Sequence, residues 1–154
     1  MRNVTAIGMR GKTPFDALVS HFISLGGESI LLDPEMVCGK DHILSAAMHA
    51  ERAFLQGHHR SKNILTETIL YAACDRQISK AMKKMGPKPG NDGYVACLFD
   101  IEDPKLDDIG MIRDDSLFEI TEDKVRSLGI PYDPELPLEE QVLEAVAMVD
   151  LLKQ

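Results

Sequence analysis

Cysteine is scarce in this chain: Cys38, Cys74 and Cys97 are an odd number, and no two of them share a CxxC spacing. A secreted disulfide framework is therefore not expected, and a reducing, cytoplasmic setting is. No apolar run approaches the roughly 18 residues that span a bilayer, and Met1 to Lys12 lacks the apolar core of a secretory signal. No membrane partner is expected. Phosphate-binding loops of the common kinds are also missing. Gly8-Met9-Arg10-Gly11 follows an expected strand but lacks the G-x-G-x-x-G spacing, and there is no Walker A motif. No nucleophile stands beside a placed base and orienting group, so no catalytic residue, cofactor or metal is assigned, and a binding protein is favoured over an enzyme.

What is present is ordinary globular composition, 44% hydrophobic and 27% charged over 154 residues. A chain of this size forms one domain and buries roughly two-thirds of its unfolded surface. Strand and helix signals alternate. Asn3 to Gly8, Ser29 to Leu32, Tyr94 to Asp100 and an edge strand at Leu117 to Ile120 give about four strands. Helices are expected after Thr13-Pro14, from Asp41 to Gln56, from Ser61 or Asn63 onward, through Met85, after Thr121, and from Glu139 nearly to the end. In the Asp41–Gln56 helix, Ile43, Ala47, Ala50 and Phe54 read as the buried stripe, with Ser45, His49, Arg52 and Gln56 on the wet side. The fold class is α/β, with α+β the alternative: a single domain with a small sheet flanked by helices.

Charge is distributed unevenly. The net charge is −8, yet residues 52 to 88 balance at +6 and the remainder at −14. At about 100° per residue, Arg76, Lys80, Lys83 and Lys84 fall on one face of a helix, opposite Ile78, Ala81, Met82 and Met85. Arg52, Arg60 and Lys62 lie on the two preceding elements, Gln77 lies within the basic stretch, and Lys88 follows in the loop. Short connections bring such helices together, and one shared cationic surface suits a phosphate backbone. Aromatic residues are sparse there, with Tyr71 alone nearby; His49, His58 and His59 are the remaining rings able to stack on bases. Structured or single-stranded RNA is preferred to DNA, since no helix-turn-helix pattern stands out.

Other chemistry-bearing groups read more simply. His42, His49, His58 and His59 do not present a third placed metal ligand. Cys74 and Cys97 read as structural thiols. Asp107-Asp108 and Asp114-Asp115 lie in an acidic loop and leave a small divalent-metal enzyme as a rival. In the last helix, Leu138, Val142, Ala145, Val146 and Val149 form one apolar stripe. Leu143, Ala147 and Leu151 form a second, which is either buried beneath a loop or a partner site.

The stretch Ala50-Glu51-Arg52-Ala53-Phe54, then Gly57, Lys62-Asn63, Glu67-Thr68-Ile69-Leu70-Tyr71-Ala72-Ala73 and Arg76-Gln77-Ile78-Ser79-Lys80-Ala81 resembles the kinase-binding regulatory subunit of the KEOPS complex. One departure is that the family often has glycine where this chain has Cys74 or Asp75. The resemblance implies a non-catalytic subunit of the machinery that makes threonylcarbamoyladenosine on transfer RNA. It further implies binding and stimulation of the kinase/ATPase subunit and a share in holding transfer RNA, including its 3′ CCA end. The matching block carries over Arg76, Gln77 and Lys80 as expected RNA contacts, the basic turn adds Arg60 and Lys62, and the charge pattern adds Arg52, Lys83 and Lys84. No matching motif fixes the kinase contact; the second stripe of the last helix, Leu143, Ala147 and Leu151, is the surface expected to make it. The rival within the same class is a protein-only kinase regulator that never touches RNA.

Overall fold

A computed structural model describes residues 2–153. Four strands, β1 (Val4–Arg10), β2 (Glu28–Leu32), β3 (Gly93–Phe99) and β4 (Ile112–Arg113), form one sheet in the order β2-β3-β1-β4. Its ladders are antiparallel throughout, which resolves the class to α+β. Successive side chains leave opposite faces of a strand, and here they feed two cores. Ala6, Ile30, Leu32, Val95, Cys97 and Phe99 face one; Ile7, Met9, Leu31, Ala96 and Leu98 face the other.

The second core is covered by α1 (Phe15–Ser24), through Leu18 and Phe22, and by Ile101, Leu106 and Met111. The first core takes the remaining helices: α2 (Lys40–Gln56), α3 (Ile64–Ala73), α4 (Ile78–Met85), α5 (Glu122–Ser127) and α6 (Leu138–Leu152). The side-chain caps at Asn63 and Thr121 form as their residue types require, accepting from the Thr66 and Lys124 amides. The first two helices start differently from expectation. Pro14 and Gly39 occupy the cap positions, while the Thr13 hydroxyl donates to the Ile109 carbonyl at 2.5 Å. The turn from α3 to α4 is made by Cys74 in the left-handed region, φ 55°, a conformation in which glycine would be free of the Cβ clash.

Two further expectations fail. Leu117 to Ile120 is not an edge strand: Asp115–Phe118 is a 3₁₀ turn, and the fourth strand is the two-residue Ile112–Arg113. The Asp114 carboxylate accepts from the Ser116 amide at 3.0 Å and closes the turn locally, in competition with any ladder. His49 is not on a wet face. It is 8% exposed, stacked on Tyr71 with ring centroids 5.4 Å apart.

Candidate partner-binding surfaces

α4 buries Ala81 and Met85. Lys80 and Lys83 are exposed, as are Arg76 and Gln77 just before the helix. Among the described residues Arg76, Lys80 and Lys83 enter no ion pair. Lys84 departs from the expected face. Its ammonium folds back and donates to the carbonyls of Ala73, at 2.9 Å, and Leu128, at 2.7 Å. It thereby stabilises the carboxyl ends of α3 and α5, where a cation also meets the negative end of the helix dipole. Lys88 is likewise engaged, with Asp33 at 3.1 Å. Neither lysine offers a free charge.

The other cations are placed by α3. Ten residues at about 1.5 Å rise separate its ends by about 15 Å, so the basic residues form two groups, not one cluster. Arg76, Lys80 and Lys83 lie at its carboxyl end. Arg52, Arg60 and Lys62 lie at its amino end, on the close of α2 and the turn that follows. All three are exposed, and a guanidinium NH2 of Arg60 donates to the Lys153 carbonyl. The His59 ring lies flat on Phe54, centroids 3.9 Å apart, so that face is already taken. Tyr71 is fully buried and is not available for base stacking.

Beneath the amino-end group lies a buried polar hub. The Glu67 carboxylate accepts from the Arg60 amide (3.0 and 3.1 Å), the Ser61 amide (2.8 Å), the Ser61 hydroxyl (2.9 Å) and the Lys153 ammonium. Burial opposes ionisation of Glu67, but the Lys153 and Ser61 donors outweigh it and hold the carboxyl below its ordinary value. Lys153 also donates to the Tyr71 hydroxyl at 3.0 Å, and that hydroxyl donates to Asp150. Burial, then the neighbouring Asp150, raises the Tyr71 phenol. His49 Nδ1 is buried without a hydrogen-bond partner, 3.7 Å from Asp150. His42 is buried but satisfied: the Cys38 amide donates to its Nδ1 at 2.9 Å, and its Nε2–H donates to the Ala72 carbonyl at 2.8 Å.

α6 turns Val142, Val146 and Val149 inward. Its second stripe is left uncovered: Ala147 and Leu151 are exposed, Leu151 to 57%, and Leu143 is half-buried. The other flank of α6 borders a groove of about 540 Å³, walled by Ala145, Met148 and Leu152 from the helix, Tyr132 and Leu136 from the preceding segment, and Cys74. Cys74, in the groove wall, stands two residues before Arg76. The sequence held one clue to this groove. Leu136, Met148 and Leu152 are apolar yet fall outside both stripes, and Pro131, Pro134 and Pro137 around Leu136 mark an extended segment able to fold back.

The acidic loop is structural where it is most charged. Asp114 pairs with Arg10 at 2.6 Å, and Asp115 accepts from Arg113 and from the Gly8 amide at 3.0 Å. The Arg113 guanidinium lowers the Asp115 carboxyl to about 2. Among the described residues no three His, Cys, Asp or Glu side chains gather to hold a metal. The three thiols are free, and burial raises Cys38 to about 11 and Cys74 and Cys97 to about 12, which keeps them protonated and poor nucleophiles. No helix among the described residues is long and apolar enough to cross a membrane.

The uncovered apolar stripe of α6, together with cations that enter no ion pair among the described residues, is a surface suited to docking a partner. Comparison with known proteins makes this specific. The family model for "Kinase binding protein CGI-121" matches residues 16–148, and the chain belongs to that family. The chain is also 30% identical over 142 residues to the regulatory protein Cgi121 of Methanocaldococcus jannaschii, with 88% of this chain and 92% of the relative covered.

Proposed function

We propose that the chain is the non-catalytic subunit of the KEOPS complex that binds and stimulates its kinase/ATPase subunit and holds transfer RNA, including the 3′ CCA end, in the cytoplasm. The kinase partner is supported by the family's name, and the uncovered stripe Leu143, Ala147 and Leu151 is the surface offered to it. The observation that supports RNA binding is the exposed set Arg76, Lys80 and Lys83, in no ion pair among the described residues of an otherwise anionic molecule, two residues or more beyond Cys74 in the wall of an apolar groove. Cations there release counterions from phosphates, and an apolar wall suits the faces of unpaired bases. Arg52, Arg60 and Lys62 add phosphate contacts farther along α3 and set orientation. Holding both partners raises the effective concentration of substrate at the assembly. Stimulation follows if docking favours the active arrangement of the kinase, by differential affinity for two states.

The test is a transfer-RNA gel shift across a salt series. Arg76→Glu with Lys80→Glu is expected to weaken binding at least tenfold and to flatten the log–log salt slope by roughly 1.4, at about 0.7 per single-strand phosphate contact. An unchanged affinity and slope would remove the patch. A regulator that contacts protein alone predicts no shift of the wild-type protein at any salt. Separately, Leu151→Arg is expected to abolish co-elution with the kinase subunit while the circular dichroism spectrum stays native. Continued co-elution would move the kinase site elsewhere.

A further inference from the structure

Two surfaces assigned above to different partners meet at one buried ion pair. Glu67, on α3, is fully buried, and Lys153, one residue beyond α6, is 8% exposed. They lie 86 positions apart in the chain. Glu67 is also the acceptor that orders the turn between α2 and α3, since both the Arg60 and Ser61 amides point at it. A second tie runs in parallel, from the Arg60 guanidinium to the Lys153 carbonyl. The turn is also held by the His58 amide on the Ala53 carbonyl, the Ser61 hydroxyl on the Asn63 carbonyl, the His59 ring on Phe54 and the His58 ring, which meets Gln56 Oε1 at 3.0 Å and stands 4.0 Å from Asp150 on α6.

A buried carboxylate stays ionised only with a counter-charge and filled acceptor positions. If the last turn of α6 shifts, Lys153 withdraws. Glu67 then takes up a proton or water, and either change loosens the donors at Arg60 and Ser61. Leu151 lies two residues before Lys153, on the exposed side of the same turn. A protein seated across Leu151 therefore bears on the position of Lys153.

We propose that the Lys153–Glu67 pair is a clasp that makes the order of the basic turn 58–62 conditional on the seating of the last turn of α6, so that a protein docked on Leu151 and a polyanion held by Arg60 and Lys62 change each other's affinity. This rests on the two-partner reading above. Linkage makes the effect reciprocal: whatever factor the protein partner applies to RNA affinity, RNA applies to protein affinity.

Amide hydrogen exchange and transfer-RNA titration with and without the kinase subunit test the clasp on the full chain. Wild-type protein is expected to show at least fivefold coupling between the two partners. Lys153→Met is expected to speed exchange at the Arg60 and Ser61 amides at least tenfold, with the central turns of α2 and α3 unchanged, and to bring the coupling to about one. In Glu67→Gln with Lys153→Met, a neutral acceptor faces the turn without needing a counter-charge. Protection there is expected to return while coupling stays lost, which separates communication from stability. Wild-type exchange in Lys153→Met, absent coupling in the wild type when both partners bind, or coupling retained in the double variant would each overturn the clasp. The exchange arm uses neither partner. If wild-type protein fails to bind transfer RNA, the RNA reading falls, and the exchange rates still decide whether the last turn of α6 orders the basic turn.

Discussion

Glu67→Ala is expected to lower the unfolding free energy by about 3–5 kcal/mol, the usual cost of leaving one member of a buried ion pair uncompensated. The substitution strands the Lys153 ammonium, and it removes the acceptor for the Arg60 and Ser61 amides. Total stabilities of about 5–15 kcal/mol make this a large fraction, visible as a drop in the urea midpoint. The pair Glu67→Gln with Lys153→Met is expected to recover most of the loss, because two neutral side chains of similar size need no mutual compensation. A single-variant loss below about 1 kcal/mol would show that water reaches the pair freely.

The second large effect is acid sensitivity from His42. Burial, reinforced by the buried Lys124 ammonium, lowers this imidazole from 6.5 to about 4, against a smaller opposing effect of its bond to Ala72. The folded protein therefore binds fewer protons than the unfolded chain between those pH values, so the stability tied to neutral His42 is complete above pH 6.5 and is lost as pH falls towards 4. The slope is about 1.4 kcal/mol per pH unit, which amounts to the order of 3 kcal/mol across the window. Stability measured from pH 7.5 to 4 is expected to show it, and His42→Gln is expected to flatten the curve by about one proton. His49 is shifted in the same direction by burial and by Arg52 and adds to the slope. Glu67 contributes below its ordinary carboxyl range, at more acid pH. An unchanged slope in His42→Gln would assign the acid loss elsewhere.

Much of the layout was readable from the chain. Strands rich in β-formers, caps at Asn63 and Thr121, and the apolar stripes of the helices all depend on neighbours within a few residues, and sequence carries that information. What was not readable depends on what packs from far away. A helical wheel puts Lys84 beside Lys80, but only the approach of Leu128 gives its ammonium two carbonyls. His49 falls on a polar side of α2 until α6 and Tyr71 cover it. The two-residue strand Ile112–Arg113 is too short to show alternation, and both residues are exposed. The Glu67–Lys153 pair has no local signature at all. The surfaces follow the same division: Arg76, Lys80 and the second stripe of α6 were visible as patterns, whereas the groove needed the 129–136 segment to fold against α6.

At the far side of the sheet, segment 114–118 lies against β1. The Asp114 amide donates to the Gly8 carbonyl at 2.8 Å, and the Gly8 amide donates to Asp115. A Cβ on Gly8 would stand 2.2 Å from the Asp114 carbonyl oxygen, so only glycine permits this approach. Both backbone groups at the middle of β1 are thus occupied from within the chain. A strand from another molecule therefore finds no free ladder at Gly8, on the part of β1 that the two-residue β4 leaves unpaired.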